Sequence, residues 1–245
     1  WDDRVPEEVN RRVIDHASDA WMPYTERSRE NLLREGVPAQ AIVVVGNPIR
    51  EVILRHEPAI AASPALARLG LERGRYFLAT LHRAENVDEE ARLRRLAGGL
   101  VRVHAAHGLP VIVSTHPRTR ARLDALGLGR DDGRVRWLPP FGFLDFVHLE
   151  RHAACVLTDS GTVQEETCIL GVPNVTLRDV TERPETIDCG SNRLAGADPE
   201  AIVACVRQAM YARGTWVPPR EYLLDHVSDT VVRLLLAEGP PPVAT

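Results

Sequence analysis

The 245-residue chain contains no lysine; all 30 residues in the lysine and arginine total are arginine. That absence removes a Schiff-base lysine for pyridoxal phosphate and the lysine of a Walker A loop. No apolar run approaches the roughly 20 residues needed to cross a bilayer, and no charged n-region, apolar h-region and cleavage site stand at the start. No membrane partner is expected, and the expected location is cytoplasmic. The net charge is only −4 with both signs interspersed, so there is no basic stripe and nucleic acid is not an expected partner. Cysteine is scarce. Cys155, Cys168, Cys189 and Cys205 show no C-x-x-C spacing and read as small core residues in a reducing compartment, with no metal. An initiating methionine is also lacking: the chain opens on Trp1, in what reads as a loop leading into a helix, and is expected to be incomplete at its N-terminus. What remains suffices for a packed core. Hydrophobic residues make up 44%, and the length suits one large domain or two small ones.

Helical spacing over residues 7–20 puts Val9, Val13 and Ile14 on one face, with Pro6 at the first helical position. "TERSRENLLREG", residues 25–36, reads as a helix capped by Thr25 and stopped at Gly36. "AIVVVGNP" reads as a strand ending at Gly46 and Pro48, and a domain boundary is placed there. From residue 76 short apolar runs alternate with helical patterns: strands YFLATLH, PVIVSTH, RVRWL, ACVLTDS and NVTLR, with helices over 88–107, 117–127, 143–152 and 161–170. That alternation implies right-handed βαβ crossovers and an α/β fold with a doubly wound parallel sheet. "DPEAIVACVRQAMYA" reads as an acid-capped helix, followed by a break at Pro218 and Pro219 and a last helix over about 225–237.

Such sheets bind ligands at the carboxyl ends of their strands, where this chain puts His82 with Arg83, His116, Asp159 with Ser160, and Arg178 with Asp179. In "LTDSGTVQEE" a strand, a Ser-Gly turn and a helix start aim free backbone N–H groups at that crevice, an anion site. A helix start alone contributes about 0.3–1 kcal/mol toward an anion; Arg183 in "TERPET" is the candidate added donor. Ser160 either caps the helix or donates to a phosphate oxygen. Glu166 either accepts from the vicinal hydroxyls of a ribose or belongs, with Glu165, to a solvated pair. His82 suits phosphate donation or proton transfer, and equally a surface loop. The histidines at 16, 56, 104, 107, 148, 152 and 226 read as surface residues. Glu7 and Glu8 read first as complements to a helix dipole. Of Phe141, Phe143 and Phe146, most read as core rings, with one free to face a planar base.

The set "RVPEEVNRRVIDHASD", "GNPI", "TLHRAENVD", "HPRTR", "LTDSGTVQEE" and "GVPNVTLRDVTERPETIDCGSNRLAG" resembles the non-hydrolysing UDP-N-acetylglucosamine 2-epimerases. The resemblance implies the two-domain fold shared with GT-B glycosyltransferases and C2 epimerisation of UDP-GlcNAc to UDP-ManNAc. The route is elimination and re-addition of UDP through 2-acetamidoglucal, for cell-surface polysaccharide synthesis, without a cofactor. It implies that His82 and Arg183 bind the phosphates, that Ser160, Gly161 and Thr162 hold the diphosphate, that Glu166 holds the ribose and Phe146 lies near the uracil. Glu7 would be a catalytic carboxylate, beside His82, and a homodimer would be the assembly. Residues 1–47 would be a remnant of an N-terminal Rossmann-like domain, 48–217 the UDP-binding domain, and 218–245 a helix and tail packing back toward the first domain.

The family's N-terminal "GTRPE" and "HVEAG" stretches have no counterpart in the chain, which is therefore expected to be a C-terminal portion with little turnover alone. Gly161 is followed by Thr162 rather than a second glycine, as in a branch that includes epimerases of UDP-2-acetamido-2,6-dideoxy-L-talose. "THPRTR" stands in place of the "HLNPN"-type segment of the bacterial allosteric site. A GT-B glycosyltransferase using a UDP-sugar, and a UDP-binding fragment without catalysis, are the alternative functions.

Overall fold

The computed structural model describes residues 6–237, with side chains from residue 8. Two compact units are present: Trp1–Glu51 together with Arg220–Thr245, and Val52–Pro219.

The smaller unit begins with α1 (Pro6–His16) and α2 (Glu26–Arg34). Thr25 caps α2, its side chain accepting from the Ser28 amide at 3.2 Å. Arg11 ties the two helices, bonding Glu8 at 2.8 Å and Glu35 at 2.9 Å. The run 41–46 does not form the expected strand. It makes one isolated parallel bridge, Trp21 to Ile42, although the amides of Val43 and Val45 donate to the carbonyls of Trp21 and Pro23. Pro23 has no N–H to return, so the pairing cannot propagate. Helix α3 (Ile49–Arg55) leads out of this unit, and α13 (Val227–Leu236) completes it, with Glu51 accepting from the Ser228 amide at 3.1 Å.

The larger unit holds the short helices α4 (Glu57–Ala61) and α5 (Ala65–Leu69), then β1 (Phe77–Leu81), α6 (Ala84–Val87), α7 (Glu90–His107), β2 (Val111–Thr115) and α8 (Pro117–Ala125). There follow β3 (Val135–Leu138), α9 (Phe143–His152), β4 (Cys155–Thr158), α10 (Gly161–Leu170), β5 (Asn174–Thr176), α11 (Pro184–Asp188), β6 (Asn192–Leu194) and α12 (Pro199–Tyr211). The six strands are parallel in the order β3-β2-β1-β4-β5-β6, the α/β Rossmann-like sheet that the alternation implies. Both faces are covered, so the strands read as near-continuous apolar runs. The pleat divides them: Phe77, Ala79, Leu81, Val111, Val113 and Leu157 join the core under α7 and α12, while Leu78, Ile112 and Val156 join the core that includes Leu149 of α9 and Val163 of α10. Each fully buried leucine or isoleucine contributes roughly 1.5–3 kcal/mol.

Helices α7 and α12 approach closely because Gly99 carries no side chain; a Cβ there would lie 2.7 Å from Cδ1 of Ile202. Asp198 caps α12, accepting from the Ala201 amide at 2.8 Å. His148, expected at the surface, is instead buried, with Nδ1 2.7 Å from the carbonyl of Ile60. Helix α9 turns that residue inward against α4, a partner too distant in sequence for local spacing to reveal. Among the described residues no helix is long and apolar enough to cross a membrane.

Candidate functional site

The strand order reverses direction between β1 and β4, which are paired in register from Phe77 with Cys155 to Thr80 with Thr158. Ligand crevices form at such switch points because the connections on either side diverge to opposite faces. The residues leaving β1 are His82 and Arg83, and those leaving β4 are Asp159, Ser160 and Gly161.

These two exits are bonded to each other. The carboxylate of Asp159 is fully buried and accepts from the backbone amides of His82, at 3.1 and 3.0 Å, and of Arg83, at 3.0 Å. It also accepts from Nδ2 of Asn86 at 3.0 Å and lies 3.1 Å from Nδ1 of His82. Burial alone would raise its pKa; the His82 side chain, the Arg83 amide and Asn86 outweigh that and hold it below the usual aspartate value. Asp159 is thus ionised. The role of this residue is not visible in local sequence, since its partners lie 73 to 77 positions away.

The first turn of α10 is open. Ser160 occupies the N-cap position but its side chain makes no capping bond, while its own amide donates to Oγ1 of Thr158 at 3.0 Å. Among the described residues no side chain hydrogen-bonds to the leading amides of Gly161 and Thr162, and Thr162 is exposed. Arg183 faces this turn. A Cβ built on Gly161 would lie 3.5 Å from the central guanidinium carbon of Arg183, so open amides and a cation converge on one space. Arg183 is held there by Glu165, 2.5 Å from its Nε, and by its own amide donating to Thr181 at 3.0 Å. Gln164 completes the brace: its Nε2 donates to the Ser160 carbonyl at 3.1 Å, and its Oε1 accepts from Thr181 at 2.6 Å and Asn192 at 3.1 Å. Thr181 and Gln164 were not apparent from the sequence, because neither residue type distinguishes a brace from a surface contact.

The carboxylates of α10 are not a solvated pair. Glu165 is buried and Glu166 is only 6% exposed. Glu165 is committed to Arg183, whereas Glu166 has no hydrogen-bond partner among the described residues. Burial, and then the adjacent Glu165 charge, push Glu166 up to about 7. Behind it, Glu150 of α9 is fully buried with both carboxylate oxygens unbonded among the described residues. Burial and the neighbouring Glu166 hold the Glu150 carboxyl well above the usual range. Arg178 is buried just past β5 and pairs with Glu85 at 2.9 Å and Glu182 at 2.8 Å, whereas Arg183 faces the open turn.

Phe146 is partly buried and packs on the core that includes Leu78 and Val163. Phe143 is the exposed ring of this set, edge-on to His56 at 5.9 Å between centroids. Glu7 lies in α1, but its side chain falls outside the described residues. The structure thus brings His82, Ser160, Gly161, Glu165 and Arg183 into one linked cluster, with Thr162 and Glu166 on the same helix.

The chain spans less than two thirds of the length of the curated relatives it matches. A UDP-N-acetylglucosamine 2-epimerase of Methanocaldococcus jannaschii is 40% identical over 226 residues, covering 89% of this chain and 62% of its own length. A UDP-2,3-diacetamido-2,3-dideoxy-D-glucuronate 2-epimerase of Pseudomonas aeruginosa is 38% identical, covering 84% of this chain and 57% of its own. Among solved structures, the M. jannaschii UDP-GlcNAc 2-epimerase in complex with UDP-GlcNAc and UDP superposes with a TM-score of 0.89 at 39% identity, over 96% of this chain and 65% of that one. A family model described as UDP-N-acetylglucosamine 2-epimerase matches residues 1–236, and the chain belongs to that family.

Proposed function

We propose that the cluster at the exits of β1 and β4 binds the UDP of a UDP-2-acetamido sugar, and that the protein epimerises that sugar at C2. The observation that carries this reading is the pairing of two unspent features on α10. Its first-turn amides are uncapped and face Arg183, and its buried Glu166 has no partner among the described residues. An anion and a diol, the two polar parts of a nucleoside diphosphate, would satisfy both. His82, Ser160, Gly161, Thr162 and Arg183 take the diphosphate; Glu166 accepts from the ribose hydroxyls, and Phe146 lies toward the uracil.

The chemistry follows from the substrate. The C2 hydrogen has no neighbouring carbonyl to stabilise a carbanion, so a base alone cannot remove it. Departure of UDP has to lead, giving oxocarbenium character at C1, then loss of the C2 proton to form 2-acetamidoglucal. Return of UDP to the same face of C1 and delivery of a proton to the opposite face of C2 yields the epimer. Donors that bind the departing diphosphate more tightly than the intact sugar nucleotide lower this barrier, and charge-assisted bonds contribute roughly 1.5–3 kcal/mol each. Glu7 is carried over from the family as a carboxylate of the sugar chemistry. UDP-GlcNAc to UDP-ManNAc is the reading favoured by the M. jannaschii relative; the P. aeruginosa relative supports a sugar differing at C3 and C6 with the same C2 step.

The test is turnover of UDP-GlcNAc in D₂O by the protein at the family's full length. The expected result is deuterium at C2 in both UDP-GlcNAc and UDP-ManNAc. Release of free ManNAc, transfer of the sugar to an acceptor, or UDP binding with no exchange at C2 would each refute epimerisation by this route.

A further inference from the structure

The reading of His82 as a diphosphate ligand leaves open what orients its ring, and the inference rests on that reading. We propose that Asp159 is the positioning residue of the site: its buried carboxylate takes the Nδ1 proton of His82, so that the ring presents Nε2 to the diphosphate.

The assignment follows from counting donors. An ionised carboxylate is an acceptor only, and Asp159 is ionised despite complete burial. Each of its contacts must therefore be a donor, which puts a proton on Nδ1 of His82, 3.1 Å from Oδ1. Nε2, on the other side of the ring, has no bond among the described residues, and the side chain is 39% exposed. With Nδ1–H turned to Asp159, Nε2 is the ring nitrogen left to meet a phosphate oxygen, and a proton there is the donor to it.

The carboxylate is itself fixed from behind. Asn86 donates through Nδ2 both to Asp159 and to the Leu177 carbonyl at 2.9 Å, which settles the direction of its amide. Its Oδ1 then accepts from Nε of Arg92 at 2.6 Å, and Arg92 also pairs with Asp179 at 2.8 Å. A chain of directed bonds thus runs from Arg92 on α7 through Asn86 and Asp159 to His82. A buried carboxylate without such donors would cost several kcal/mol; with them it is a rigid mount. This accounts for an asparagine four residues after the histidine in "HRAEN" and for the aspartate before Ser160.

Two measurements test the proposal. In ¹⁵N-histidine-labelled chain, with His82 assigned by its loss in His82→Gln, the spectrum should show Nδ1 protonated; a neutral ring protonated on Nε2 would overturn the proposal without any Asp159 variant. Calorimetric titration with UDP then uses the isosteric Asp159→Asn in two backgrounds. It should weaken UDP by about 10-fold or more in the wild type and by less than about 2-fold in His82→Ala, the coupling expected of residues acting as a unit. An equal loss in both backgrounds would mean that Asp159 shapes the loop without acting through His82, and would overturn the proposal. If the wild-type chain fails to bind UDP, the diphosphate reading fails, while the spectrum still decides whether Asp159 holds Nδ1.

Discussion

Glu166 is a residue that the fold alone would not retain, and replacing it with glutamine separates its cost from its use. Its pKa moves from the ordinary 4.5 to about 7 because burial, and then Glu165, disfavour the charge. A carboxyl raised in the folded state binds its proton more tightly than in the unfolded chain. Below pH 4.5 it is protonated in both states and contributes nothing. As the pH rises through the window from 4.5 to about 7 the unfolded chain ionises first, and stability falls. At pH 8 the accumulated penalty is up to about 3 kcal/mol, at about 1.36 kcal/mol per pKa unit; at 6% exposure little solvent screening reduces it. Glu166→Gln removes the titration. Urea denaturation at intervals from pH 4.5 to 8 should show the variant gaining on the wild type by up to about 3 kcal/mol, or roughly 6–12 °C in Tm for a chain of this size. UDP titration of the same samples at pH 8 should show about 10- to 100-fold weaker binding, since a neutral amide forgoes charge-assisted bonds to the ribose. A stability difference independent of pH would refute the burial argument, and unchanged UDP affinity at pH 8 would refute the ribose role.

Other outcomes follow from the same geometry. Arg183→Ala should weaken UDP about 10- to 100-fold and destabilise the fold by about 1–3 kcal/mol, because the buried Glu165 loses its arginine; calorimetry and denaturation read the two effects separately. Gly161→Ala adds a methyl in ordinary contact with Arg183, at 3.5 Å, at a position without a positive φ. Its stability should stay within about 0.5 kcal/mol of wild type while UDP affinity falls, because the methyl occupies the space between the amides and the guanidinium. Equal affinity would place the anion elsewhere. Cys189 should be the first cysteine alkylated by iodoacetamide at pH 7, read by peptide mass spectrometry. The neighbouring Cys168 thiol, with Sγ 3.7 Å away, lowers Cys189 below the usual thiol value, whereas burial raises Cys155. Modification of Cys155 before Cys189 would contradict this ordering.

The legible part of the fold was the part whose signal is local. Strands β1 to β5 stand out because a strand buried on both faces is an apolar run bounded by turns. By contrast β6, "NRL", is three residues with one apolar member, and α3 to α5 are short helices interrupted at Pro58 and Pro64, too brief to show a period. The run 41–46 has strand-forming residues, but the segment it pairs with among the described residues contains Pro23. At the candidate site, the placement of Ser160 and Gly161 at a strand exit was legible because topology alone sends strand ends to the crevice. The bonds that organise them were not. Asp159 meets His82 across 77 positions and Gln164 meets Thr181 across 17, and sequence spacing says nothing about contacts made between elements.

The crystal structure of the chain with UDP tests the central claim most directly. The account predicts the diphosphate against the amides of Gly161 and Thr162, within hydrogen-bonding distance of Arg183 and of Nε2 of His82, with both ribose hydroxyls on Glu166. UDP bound with its phosphates away from the α10 turn, or with Glu166 still unbonded, would contradict it.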